Sequence, residues 1–142
     1  MASGFFNKSP YLHKNDNNTP AFGLSTSFTS TPNSLKRFVQ IVNHLKSDTL
    51  GYHCKSVIDD LGIRTLQPNQ EWEFSFHLSL IIVTEFKCHF WYQNFKACFE
   101  VFRDSIGDQF GGDHCIWTAQ EDGLYLYNIK SDHNVKMYDW DK

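Results

Sequence analysis

Three dipeptides, His53-Cys54, Cys88-His89 and His114-Cys115, are the residue types in this chain that could do metal chemistry. Zinc takes Cys and His ligands, but its sites usually draw on short spacings of the C-x2-4-C kind, and none occurs here. If each dipeptide lies on a strand, its two side chains point to opposite faces, so it offers a shared ion one ligand. The expectation is no metal and no cofactor, with disulfide cysteines beside surface histidines. Asp59-Asp60 is the other chemical candidate, as a carboxylate pair or half of a calcium site. The D-x-[DN]-x-[DN]-G pattern is absent, and aspartate beside a glycine more commonly caps a turn. No G-x-S-x-G elbow or comparable nucleophile context appears. No catalytic residue is assigned, and the chain reads as one that binds.

The elements that would carry these residues are short. Leu35 to Val42 reads as a first strand, with Val39 and Ile41 on one face. Thr49 to Ser56 is a second, where Leu50, Tyr52 and Cys54 share a face through the period of two. Asp59-Asp60-Leu61-Gly62 is a turn in which Gly62 can take a positive φ. Ile63 to Gln67 is a brief strand stopped at Pro68-Asn69. Trp72 to Leu78 alternates most cleanly, apolar at 72, 74, 76 and 78 against Glu73, Ser75 and His77, the pattern of a half-buried antiparallel strand. Ile82 to Tyr92 and Lys96 to Asp104 form a hairpin around Gln93-Asn94. A polar, glycine-rich loop from Asp104 to Asp113 leads to His114 to Thr118, and Asp122-Gly123 turns the chain into Leu124 to Asn128. About eight strands spaced roughly 8–12 residues apart, with no convincing helix, predict an all-β, antiparallel β-sandwich linked by disulfides.

Residues 1–34 differ from the rest: eighteen are Ser, Thr, Asn or Pro. Such a stretch buries too little apolar surface to offset chain entropy, so it reads as a disordered leader. It lacks the charged and apolar regions of a secretory signal. The domain is expected over 35–130, with 131–142 a polar tail. The net charge of −3 argues against nucleic acid, which needs a concentrated basic surface. No apolar run approaches the roughly 20 residues of a membrane span.

Four cysteines, at 54, 88, 98 and 115, allow three pairings. Cys88 and Cys98 flank the hairpin near residue 93 and would lie nearly opposite, within disulfide reach. Cys54 and Cys115 would then pair and close a loop of about sixty residues, a link worth roughly 4 kcal/mol. On that pairing Cys54 matters more to the fold than Cys88. Recognition is expected in two acidic loops, Ser56 to Gly62 (Ser56, Asp59, Asp60) and Asp104 to Asp113 (Asp104, Asp108, Asp113), because a β-sandwich usually binds through its loops.

His53-Cys54-Lys55-Ser56, Asp59-Asp60-Leu61-Gly62, Trp72-Glu73-Phe74-Ser75-Phe76, Phe86-Lys87-Cys88-His89-Phe90-Trp91 and Cys115-Ile116-Trp117 follow one another in an order that resembles the plant self-incompatibility S1 (S-protein homologue) family. Asn43 and Asp122-Gly123-Leu124-Tyr125 also fit, so the resemblance covers about residues 36–128. It departs at the C-x-x-C-x-W stretch, where Gly112 stands in place of the first cysteine and Cys98 is the fourth instead. The resemblance implies a small secreted plant β-sandwich with intramolecular disulfides. Founding members of the family are ligands from female tissue that meet a membrane receptor on pollen, with recognition attributed to loops between strands. Carried over, this makes the chain a secreted, monomeric, non-enzymatic signalling ligand for a membrane receptor protein, with Asn17 of Asn17-Asn18-Thr19 a glycosylation acceptor. The competing readings are a defence-type hydrolase, which needs a pocket with convergent polar groups, and an intracellular β-sandwich binding module.

Overall fold

The computed structural model of the chain describes residues 12–14, 35–110 and 112–142. Ten strands and one short helix follow in the order β1 (Leu12–Lys14), β2 (Lys36–Asn43), β3 (Leu50–Lys55), β4 (Asp60–Leu66), β5 (Glu71–His77), β6 (Phe86–Tyr92), β7 (Phe95–Phe102), α1 (Asp104–Phe110), β8 (His114–Gln120), β9 (Gly123–Asn128) and β10 (His133–Tyr138). They form a six-stranded sheet, β1-β5-β2-β8-β9-β10, and a four-stranded sheet, β4-β3-β6-β7. Neighbours are antiparallel except β2 and β8, which run parallel. That pair arises because the chain leaves the smaller sheet after β7 and crosses through α1 into the larger one.

The alternation read from the sequence sets what faces inward. Val39 and Ile41 of β2, Phe74 and Phe76 of β5, and Leu50, Tyr52 and Cys54 of β3 are all buried. Rings interlock between the sheets: Phe76 lies 4.8 Å from both Phe86 and Phe102, and Phe99 lies 4.7 Å from Trp117. The buried indole of Trp117 donates to the carbonyl of Val101 at 3.0 Å, which satisfies its one polar atom in the core. Gly62 sits at φ 81° just after the start of β4, the left-handed conformation that glycine adopts without a Cβ penalty.

The disulfide pairing differs from the expectation. Cys54 and Cys88 face each other across β3 and β6 and are bonded, with Cα atoms 4.0 Å apart, while Cys98 and Cys115 are free thiols. The reason is register. The hairpin pairs Tyr92 with Phe95, so His89 lies opposite Cys98 and Cys88 lies opposite Phe99. An offset of one residue puts two side chains on opposite faces, so Cys88 points into the core while Cys98 points out. Cys115 sits on β8 beside Val39 in the other sheet.

Two segments carry more structure than composition suggested. The stretch from Asp104 to Asp113, read as loop, contains α1. Its Asp, Ser and Gly content is poor helix material, and the turn is held by burial of Ile106 and packing of Phe110 on the core. The expected tail contains β10, paired along β9. Tyr138 stacks on Phe99 at 4.1 Å, Trp140 meets Tyr92 edge-on at 4.9 Å, and Asp141 exchanges two backbone hydrogen bonds with Lys96. The leader lies outside the described residues, as does Asn17, apart from the three residues of β1 that pair with β5.

Candidate functional site at one end of the sandwich

Strand direction gathers the connections. Lys36 lies opposite His77, Lys55 opposite Lys87 and Phe86 opposite Phe102, while Phe38 is aligned with His114. The β3–β4 turn (56–59), the β5–β6 loop (78–85) and the β7–β8 connection through α1 therefore share one end. Both loops expected to recognise a partner are at this end, together with a third.

The first two connections are built by the same device. Ser56 Oγ accepts hydrogen bonds from the amides of Ile58 (3.3 Å) and Asp59 (3.1 Å). Ser79 Oγ accepts from Ile81 (3.1 Å) and Ile82 (3.0 Å). Each serine satisfies the backbone of its own turn and leaves the following aliphatic side chains outside. Val57 and Ile81 are each 92% exposed and Leu80 86%, with Ile58, Ile82 and Val83 also in the open. Isolated exposed apolar residues are ordinary, but a contiguous group marks an interaction surface. Between the two loops lies a cleft of about 50 Å³ whose lining includes Ile58, Asp59, Ile82, Val83 and Phe86. Small-molecule sites run to roughly 300–1,000 Å³, so this cleft admits a single slender group.

Of the six expected loop residues, Ser56 and Asp59 line the cleft and Asp60 starts β4 beside it. Asp60 Oδ1 accepts from the Gly62 amide at 2.9 Å and sits 2.6 Å from His53 Nε2. The amide above all, then the imidazole, holds this carboxyl below its usual range. Asp59 is different: it is 6% exposed, and its Oδ1 has no hydrogen-bond partner among the described residues. Asp104 opens α1 and is exposed; Asp113 is exposed with its Oδ1 3.0 Å from His114 Nδ1. The side chain of Asp108 lies outside the described residues. The 78–85 loop was missed because Ile82 and Val83 read as the start of the next strand. Its signal was present in Leu80-Ile81-Ile82-Val83, four aliphatics that break the alternation of the strand before them.

The three His/Cys dipeptides behave as period two requires. Cys54, Cys88 and Cys115 are buried, whereas His89 and His114 are exposed and His53 half-buried. Among the described residues no three His, Cys, Asp or Glu side chains gather to hold a metal, and no helix is long and apolar enough to cross a membrane.

Fold and site together define a small, disulfide-linked β-sandwich that presents an apolar, loop-borne surface at one end. The description "Plant self-incompatibility protein S1" matches residues 38–140. Two proteins of Arabidopsis thaliana illustrate the likeness. S-protein homolog 2 is 39% identical over 135 residues, covering 92% of this chain and 83% of that protein. S-protein homolog 3 is 36% identical over 112 residues, covering 75% and 74%. The chain belongs to the plant self-incompatibility protein S1 family.

Proposed function

We propose that the chain is a secreted, monomeric, non-enzymatic recognition protein of the self-incompatibility type. It acts as a ligand whose 56–59 and 78–85 loops engage a membrane receptor protein on a partner cell. The observation that carries this reading is the group of six aliphatic side chains, Val57, Ile58 and Leu80 to Val83, held open at one end of a rigid sandwich. Burying such a surface on a partner is the favourable term in most protein association. The Cys54–Cys88 bridge supports passage through an oxidising compartment, where disulfides persist. The cleft supports binding over chemistry, since the hydroxyls of Ser56 and Ser79 that flank it are engaged by backbone amides.

The test is saturable binding of the labelled chain to intact pollen, competed by unlabelled protein. The double variant Leu80→Ser/Ile81→Ser is expected to lose that binding while melting like the parent, because both side chains are already in water. Undiminished binding by the variant, or a tagged chain kept in the cytosol with Cys54 and Cys88 reduced, would overturn the proposal.

A further inference from the structure

The Asp59 carbonyl closes its turn by accepting the Ser56 amide at 2.8 Å, but among the described residues its side chain caps nothing. Aspartate at a turn ordinarily caps the backbone, yet here Ser56 Oγ takes the Asp59 amide and Asp60 takes the Gly62 amide. The Asp59 carboxylate is left nine-tenths buried, lining the cleft, with Oδ1 lacking any donor among the described residues. Buried polar groups are almost always paired, and an orphan calls for an explanation. Groups retained at a cost to the free fold are characteristic of functional sites.

We propose that this cleft seats a basic side chain of the protein partner. The aliphatic stem lies along Ile58, Ile82 and Val83, and the charged head meets the Asp59 carboxylate. The inference rests on the recognition reading above and names the chemistry of the partner's anchor. Lysine and arginine suit such a seat because their stems cover apolar surface while the head keeps its charge partner. Three other occupants fit less well. A calcium ion takes about six to eight oxygens, and the two carboxylates lining the cleft, Asp59 and Glu85, supply at most four. A drug-sized ligand exceeds the 50 Å³ available. A bilayer would reward the aliphatic tips but would press the Asp59 carboxylate, whose Oδ1 has no donor among the described residues, toward hydrocarbon.

The experiment is an amide-resolved NMR titration of the full chain with butylguanidinium, butylammonium and butanol. The cations are expected to shift amides of 57–60 and 80–84 saturably, with a dissociation constant of roughly millimolar, and butanol is not. Asp59→Asn is expected to weaken the response by about tenfold or more, the loss of one charge-assisted hydrogen bond, with the melting temperature unchanged or raised. A carboxylate that merely supports the fold would give the opposite signature: a lowered melting temperature and no effect on cation binding. Should Asp59→Asn not fold, Ile82→Ala decides, since removal of the wall weakens cation binding only if the cation sits there. No saturable shift, an equal response to butanol, or a response that survives these substitutions overturns the assignment. So does binding to phosphatidylcholine/phosphatidylserine vesicles that Asp59→Asn leaves intact while both cations are inert, which would make the tip a lipid-facing one. Pollen binding by the Leu80→Ser/Ile81→Ser variant is scored separately, so failure of the basic anchor and failure of the recognition surface are told apart.

Discussion

Cys54 and Cys88 are two halves of one bond, so their loss should be indistinguishable. A link between residues separated by 34 positions is worth about 3–4 kcal/mol in the chain-entropy account. Cys54→Ala and Cys88→Ala should each lower the unfolding free energy by that amount in a denaturant titration. A gap between them beyond about 1 kcal/mol, outside extrapolation error, would contradict the pairing. The two free thiols should then separate by reactivity, since the thiolate is the nucleophile. Cys98 is exposed, whereas burial pushes the Cys115 thiol up to about 12. A thiol reagent at pH 8 should titrate one sulfhydryl in the native chain and the second only on unfolding. The sign of the pH effect follows from the same group. The native state keeps the Cys115 proton that the unfolded chain gives up near its ordinary 9.0, so this contribution is whole below pH 9.0 and is lost as pH climbs toward about 12.

At the scale of elements, the C-terminal strand shows how far sequence pattern reaches. The strands of the core were legible because alternation at Trp72–Leu78 and at Leu50, Tyr52 and Cys54 reports a face turned inward. β10 was not, because every residue in it is exposed and a strand on the sheet edge has no buried face to advertise. What fixes it is remote in sequence: Phe99 on β7 beneath Tyr138, and Tyr92 on β6 against Trp140. The disulfide failed to be legible for a related reason, since one residue of hairpin register decides which of two neighbours faces the core. Asp59 was legible as a turn residue but not as a buried one, because Ser56 and Asp60 take the amides that an aspartate in this turn would cap. The tail's packing has a measurable consequence. Tyr138→Ala removes a ring stacked on Phe99 and partly exposes it, and should cost about 2 kcal/mol in unfolding free energy. A loss under about 0.5 kcal/mol, typical of a free surface position, would mean that the strand lies idle on the edge.

Taken whole, the molecule divides its labour between its ends. Opposite the apolar loops, the turns are tied to each other by side chains: Lys46 N to Glu121 Oε2 at 2.7 Å, Tyr92 OH to the Glu121 carbonyl at 3.2 Å, and Gln93 Nε2 to Asp48 Oδ1 at 3.1 Å. Asn43 is the buried centre of this clamp. Its Nδ2 donates to the carbonyls of Asp48 (3.0 Å) and Leu66 (2.9 Å), and its Oδ1 accepts from the Leu45 amide (2.8 Å). Asn43→Asp keeps the acceptor but replaces both donations with a carboxylate facing two carbonyls. The buried carbonyl of Leu66 and the part-buried one of Asp48 lose their donor, the buried one at a cost of about 1–3 kcal/mol. The variant should therefore unfold at markedly lower denaturant. The 56–59 and 78–85 loops take no part in the clamp: among the described residues, the hydroxyls of Ser56 and Ser79 hydrogen-bond within their own turns. Hydrogen exchange should show this separation. Amides at 80–83 should exchange fast in both proteins through local opening, while the amides of Asn43 and Leu45, bonded to Gln70 and to the Asn43 side chain, should follow the lowered global stability of the variant. If Asn43→Asp instead accelerated exchange in the 78–85 loop alone, the two ends would be coupled, and the exposed loops could not change independently of the fold.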